Sequence, residues 1–243
     1  MVYDGRVRWA LLTMLLAGCD VTLSDIDNIY SRGLDGPVVC GMSVDYKNTV
    51  SEDSIAIGLE RARVEGTVLH LYTHRPEVTV DVSTIEHILA GAADRGMEFV
   101  TYRALAEGAA TSGLAFSFDD HDIQGWISLL PMFERYGARV TFFVSAYHGL
   151  EVEDQQAIHE LAAAGHDIEY HSTNHRDAEV VTSEQGLDAY LAEEIEPDLA
   201  LMREAGFDPV VFAYPFGHRT DDTDRVLLER FHLLRSSSHD CPR

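Results

Sequence analysis

The chain has 243 residues, 46% of them hydrophobic, which is enough for one domain with a full core. Its 41 acidic against 18 basic residues give a formal net charge of -23. Such a surface disfavours nucleic acid and anionic membranes as partners and suits a cationic polymer or a saline medium.

Arg6 and Arg8 precede a short apolar run over 9–17, which meets Gly18 and Cys19. A basic stretch, a short apolar stretch and small residues predict a secretory signal. Its ending resembles a bacterial lipobox. That implies a signal peptide over 1–19, a lipid on Cys19, and a membrane-anchored protein of the bacterial cell envelope facing the periplasm or exterior. Beyond it no run reaches the length of a spanning helix. Residues 20–36, rich in Asp, Asn, Ser and Gly, are expected to form a tether.

Strand and helix patterns then alternate. Residues 38–44 read as a strand ending at Asp45, and 53–65 as a helix with Ile55, Leu59 and Ala62 on one stripe. A strand over 68–73 runs into His74. A capping box at Ser83 and Glu86 opens a helix carrying Ile85, Ile88 and Leu89, followed by a short strand at 98–101. Residues 107–113 are small and flexible by composition, as in a linker.

The strand pattern from Leu114 ends in the adjacent carboxylates Asp119 and Asp120, whose repulsion calls for a nearby cation or a shared proton. A helix over 123–136 follows, kinked at Pro131, then a strand at 139–145 and a helix at 152–164. The strand at 166–170 leads to His171 and His175, four apart, a spacing suited to two ligands of one divalent metal. A long acidic helix at 183–205 should break at Pro197. A strand at 210–213 enters the turn Tyr214, Pro215, Phe216 and Gly217, and a helix at 222–230 precedes a strand at 231–234. This alternation predicts parallel strands with polar chemistry at the C-terminal rim of an α/β barrel.

Three of these stretches, Phe118-Asp119-Asp120, His171-Ser172-Thr173-Asn174-His175 and Tyr214-Pro215-Phe216-Gly217, resemble in order the first three motifs of the NodB-like polysaccharide deacetylases, the family 4 carbohydrate esterases. The resemblance implies an α/β fold, a distorted (β/α) barrel of about seven parallel strands. The family's fourth and fifth motifs normally come last, but too few residues follow Leu234. Instead Gly41-Met42-Ser43-Val44-Asp45 resembles the fourth and Leu71-Tyr72-Thr73-His74 the fifth. The implied order is a circular permutation of a single domain over 37–243. Residues 37–105 would carry motifs four and five, 106–113 would join the ancestral ends, and 114–243 would carry motifs one to three.

On that resemblance Asp120, His171 and His175 hold a divalent metal, Zn²⁺ first and Co²⁺ or Ni²⁺ as alternatives. Asp119 is the general base, and His74, tuned by Asp45, is the acid that protonates the leaving group. The turn at 214–217 would face the substrate, with the Phe216 N–H toward the developing oxyanion. Ser172 would orient a ligand histidine, while His121 and His218 would stand behind the motifs. The implied reaction removes N- or O-acetyl groups from a polysaccharide: peptidoglycan, a chitin-like glycan, poly-N-acetylglucosamine or acetylxylan. Two positions depart from the family. Ala213 stands where an arginine usually pairs with the base, leaving Lys47 or Arg219 to hold Asp119, and Tyr46 stands after Asp45 where a tryptophan is expected. The missing arginine keeps a second reading open, a glycan-binding lipoprotein with little or no catalysis. Non-haem iron oxygenases share the ligand types, but βα alternation argues against their jelly roll. Cys40 and Cys241 either pair as a disulfide or remain a buried thiol and a tail thiol.

Overall fold

The first strand, β1 (Tyr30–Ser31), precedes β2 (Val38–Ser43), α1 (Glu52–Glu65) and β3 (Val68–Thr73). This is a computed structural model that describes residues 22–33, 35–48 and 50–241. The segment expected to be a signal peptide, with Cys19, lies outside the described residues. Then come α2 (Val82–Asp94), α3 (Tyr102–Ala106), β4 (Gly113–Asp120), α4 (Ile123–Ile127), α5 (Leu130–Tyr136) and β5 (Thr141–Val144). After α6 (Val152–Ala163) and β6 (Asp167–Tyr170), the chain forms α7 (Ala178–Gln185), α8 (Leu187–Tyr190), a π-helical stretch (Leu191–Ile195) and α9 (Glu196–Glu204). The last elements are β7 (Val211–Ala213), α10 (Asp221–Leu227) and β8 (Leu233–Ser237).

Strands β2 to β8 are parallel and close into a barrel of seven, each paired with the next along the chain and β8 paired back onto β2. The helices pack outside. Successive side chains of a strand point to opposite faces, so each strand serves two cores. Leu114, Phe116 and Phe118 of β4 join Trp126, Phe133 and Phe142 in the outer layer beneath the helices. Ala115, Val39, Phe143, Val211, Ala213 and Leu233 fill the barrel interior. Tyr102 and Leu105 of α3 join that inner cluster and plug the end where the strands begin. The opposite end, where the strands finish, is left for polar groups. Among the described residues no helix is long and apolar enough to cross a membrane.

Several sequence expectations are corrected. Residues 22–31 are not a tether: Leu23 and Ile29 are fully buried, and the Leu23 N–H donates to Ser54 Oγ at 2.8 Å, because these two apolar side chains reach the outer core beside α1. The stretch 107–113 is not a loose linker either. It folds back on α3 so that Ala110 is buried in the inner cluster, and it ends at Gly113, where a Cβ would lie 2.4 Å from the Glu98 carbonyl oxygen. Residues 98–101 contribute only a single bridge, Phe99 to Leu114. The helix expected over 123–136 is two helices, with Pro131 in the first turn of α5. That over 183–205 starts earlier, at Ala178, and is interrupted at Gly186, while the break expected at Pro197 takes the form of a π-helical stretch just before it. The final strand runs three residues further than expected, which brings Arg235 into the barrel.

Of the two readings of the cysteines, the structure has the disulfide. Cys40 on β2 is bonded to Cys241 beyond β8, with the Cα atoms 6.1 Å apart.

Candidate active site

Strand register gathers the site. β3 and β4 pair from Val68↔Gly113 to Thr73↔Phe118, so His74 and Asp119 emerge at one level of the rim. The β5–β6 register ends at Val144↔Tyr170, and His171 follows directly. Asp45, His74, Asp119, Asp120, His171, His175, Tyr214, Phe216 and Gly217 all line one cleft of about 690 Å³. The residues that the sequence reading assigned to metal binding and proton transfer therefore all border the same space, as does the turn at 214–217 apart from Pro215. Pro215 is buried in the turn beneath it.

Backbone strain concentrates here. Asp120 (φ 84°), Ser172 (φ 72°), His175 (φ 54°) and Phe216 (φ 62°) all adopt left-handed or related conformations that a side chain disfavours. Such residues persist where surrounding bonds over-determine them. Ser172 Oγ accepts the His175 backbone N–H at 2.9 Å, fixing the turn that presents this histidine and leaving the ring of His171 to another partner.

That partner is the Ala213 carbonyl oxygen, 2.8 Å from His171 Nδ1. A carbonyl accepts only, so Nδ1 carries the proton and Nε2 presents a bare lone pair. Burial drives the His171 pKa down to about 4, so the ring is neutral at ordinary pH. Asp120 Oδ1 lies 3.6 Å from His171 Nε2 and 3.1 Å from His175 Nε2, and it is buried without a hydrogen bond of good geometry. Burial alone would raise the Asp120 pKa, but the adjoining imidazoles of His175, His171 and His74 hold it well below the ordinary carboxylate range. One ligand atom from each of Asp120, His171 and His175 falls within 4.8 Å of the others. The bare His171 lone pair and the charged Asp120 oxygen, 3.6 Å apart, repel unless a cation lies between them, and the donor set suits Zn²⁺. The residues fit a divalent metal.

Asp119 is 1% exposed and its Oδ2 is bonded to Arg235, itself fully buried on β8. Neither of the partners expected for it serves. Arg219 pairs with Asp224, and Lys47 lies in the cleft lining while Arg235 holds the carboxylate. The guanidinium is sandwiched by aromatic rings, 4.4 Å from the Tyr72 centroid and 5.1 Å from that of Phe143. Asp119 Oδ1 has no hydrogen-bond partner and is left free. Sequence reading missed Arg235, which directly follows the strand expected over 231–234 and precedes a run of serines.

On the other strand pair, His74 Nδ1 lies 2.5 Å from Asp45 Oδ2. Asp45 is 3% exposed and is further held by Thr73 Oγ1 (2.7 Å), Thr79 Oγ1 (2.9 Å) and Ser43 Oγ (3.0 Å), which fixes both oxygens. Burial alone would lower the His74 pKa, but the bond to Asp45 and the charges of Asp119, Asp45 and Asp120 raise it above the ordinary value. The His74 carbonyl also accepts the Trp126 indole N–H at 2.9 Å.

Around the mouth, Phe216 and Tyr46 expose their rings, while the Tyr214 side chain is buried with its hydroxyl on Asp224 at 2.8 Å. Tyr214 thus contributes wall and not a substrate-facing hydroxyl. His218 lines the cleft and binds Asp177 at 2.5 Å; His121 turns to Ser145 Oγ at 3.2 Å.

A closed parallel (β/α) barrel with carboxylates and imidazoles converging on its C-terminal rim defines an enzyme of the barrel class, with its site where such barrels place theirs. The chain belongs to the polysaccharide deacetylase family: the family model matches residues 108–230. It is accordingly a deacetylase acting on glycan, a hydrolase of the carbohydrate-esterase kind. No curated protein matches it in sequence. Among solved structures it is similar to IcaB from Ammonifex degensii, at 19% identity and TM-score 0.51, covering 85% of this chain and 87% of that one. It is also similar to the deacetylase PplD of Streptococcus pyogenes in complex with acetate, at 19% identity and TM-score 0.44 over 81% of each chain. A de-N-acetylase from Aggregatibacter actinomycetemcomitans aligns at 15% identity and TM-score 0.46, over 68% of this chain and 84% of that one.

Proposed function

We propose that this chain is a divalent-metal-dependent deacetylase that hydrolyses acetyl groups on an N-acetylglucosamine polymer or acetylxylan, with Asp119 as base and His74 as acid. The observation that carries the reading is the convergence, on one cleft, of the Asp120–His171–His175 cluster with a carboxylate and an imidazole that each have a buried partner of opposite charge. A metal bound by that cluster, Zn²⁺ before Co²⁺ or Ni²⁺, supplies Lewis acidity toward the carbonyl and lowers the pKa of water.

The chain's own groups do the rest. Asp119, with Oδ2 held by Arg235, offers its free Oδ1 to take a proton from the water that attacks the acetyl carbon. Charge developing on the carbonyl oxygen is met by the Phe216 N–H at the strained turn. As the bond to the sugar nitrogen or oxygen breaks, His74 donates its Nε2 proton to the departing atom, while Asp45 keeps Nδ1 protonated and the ring oriented. Acetate and the freed amine or hydroxyl leave. The exposed rings of Tyr46 and Phe216 offer apolar faces to sugar rings at the mouth. The reading of an inactive glycan binder rested on the missing arginine, and Arg235 now fills that role.

The permuted reading is supported by Asp45 and His74, which follow β2 and β3 and border the same cleft as Asp119, Asp120, His171 and His175. Lipidation at Cys19 and residence in the cell envelope are part of the same proposal. They rest on the lipobox resemblance, and a diacylglycerol mass on the N-terminal peptide tests them. The function is tested by following acetate release from chitooligosaccharide, acetylxylan and a chromogenic acetyl ester, with and without a chelator. Activity that survives complete metal removal would rule the mechanism out.

A further inference from the structure

The loop carrying the second histidine is docked into a gap in the neighbouring helix, and the gap has a chemical origin. Pro197 has no N–H, so the carbonyl of Glu193, four residues earlier, lacks its helical donor. Asn174 Nδ2 donates to it instead, at 2.9 Å. One residue on, the Glu194 carbonyl accepts the Thr173 N–H at 2.8 Å, and the Asp198 N–H donates to Thr173 Oγ1 at 3.3 Å. Thr173 is thus inserted between two groups that an α-helix would have joined directly. The π-helical turn Leu191–Ile195 accommodates the insertion.

The Glu194 side chain sits in this gap, fully buried. Its Oε2 accepts the backbone N–H of Asn174 at 3.0 Å and of Arg176 at 3.3 Å, the residues on either side of His175. Oε1 accepts Asn174 Nδ2 at 3.0 Å and lies 3.8 Å from Arg176 Nη1. Between those two N–H groups His175 holds its left-handed φ of 54°. Glu194 does not line the cleft, so direct chemistry on substrate gives no reason for a buried carboxylate here.

We infer that Glu194 is a positioning residue. By clamping the amides that flank His175, it keeps the imidazole in its ligand conformation before any metal arrives, and the Pro197 helix break is what gives it access. The inference rests on the metal reading of Asp120, His171 and His175. An acceptor that orients a ligand's own backbone acts as a hydrogen-bonding partner behind the metal shell, and loss of such a partner typically costs about 10–100-fold in metal affinity.

The test is zinc affinity of the full chain, by competition with a chromogenic chelator, for wild type, E194Q, N174A and H175A, alongside the melting temperature of each metal-free protein. E194Q keeps the volume but turns an NH₂ toward a donor that the carboxylate accepted, and its affinity should fall by about 10–100-fold. N174A removes only the side-chain donors of an exposed residue, so it should lower affinity with its melting temperature unchanged; it decides the matter if E194Q does not fold. Zinc at saturating concentration should restore turnover in both. Equal affinity in wild type, E194Q and N174A, or a lowered melting temperature with affinity intact, overturns the positioning role alone. Wild type that binds no zinc, or H175A that binds it as wild type does, overturns the metal reading and this inference with it.

Discussion

Ala213 and Arg235 are register partners on adjacent parallel strands, β7 and β8. The family's usual arginine position is thus vacated by one strand and served from the next at the same height of the barrel, and the guanidinium still reaches Asp119. Arg235→Ala would leave the Asp119 carboxylate buried without its counter-charge. A loss of about 3–5 kcal/mol in stability is expected from such a break, with turnover falling sharply. Arg235→Ala combined with Asp119→Asn should regain much of that stability in denaturant titrations without regaining activity. If the single variant melts and turns over like wild type, Arg235 does not hold the base.

The pH profile should carry the signature of His74. Its pKa is raised above 6.5, chiefly through the bond to Asp45 working against burial, so the donor proton is present below the raised value and lost as pH climbs through it. kcat/KM should therefore decline on the alkaline side at a pH above 6.5. Asp45→Asn removes the charge that raises the pKa, and the alkaline limb should move to lower pH. A limb that stays in place in that variant argues against His74 as the acid.

Metal content separates ligands from base. His171→Ala and His175→Ala should each lose about one equivalent of bound metal with circular dichroism unchanged, the coordination being cut from outside the hydrophobic core. Asp119→Asn should retain the metal and lose activity, since its Oδ2 is taken by Arg235 and the substitution removes the proposed base but none of the three proposed ligands. Full metal occupancy in both histidine variants would refute the cluster.

The disulfide predicts its own chemistry. Without reductant, alkylation and mass spectrometry should find Cys40 and Cys241 unlabelled, and Cys241→Ser should lower stability by about 2–4 kcal/mol, since the bond closes a loop of 201 residues in the unfolded chain. Two labelled thiols would contradict it.

Much of this arrangement could be read from the residues. The βα alternation gave the parallel strands, because each strand buried on both faces is an apolar run and each ended at a polar group. Asp119, Asp120, His171 and His175 were legible because two carboxylates at a strand end, or two histidines four apart after one, are costly unless they serve something. Arg235 was not, since strand β8 extends past its apolar start into Ser236 and Ser237, and only closure of the barrel against Gly41 and Cys40 makes that polar stretch interior. The order near Leu23 was hidden for the converse reason: two apolar side chains in a polar segment carry no period. Glu194 looked like one acid among many on an acidic helix, and only the broken ladder at Pro197 turns it inward.

The pairing of β8 back onto β2 also sets a timetable. A chain made from its N-terminus releases six of the seven barrel strands before the one that seals them, and until β8 arrives both β2 and β7 offer bare edges to any passing strand. The partner of Asp119 and one half of the disulfide come in that same last stretch. The barrel therefore acquires its closure, its covalent clasp and its working electrostatics in a single late event, and a chain interrupted before residue 233 should be aggregation-prone and inert together.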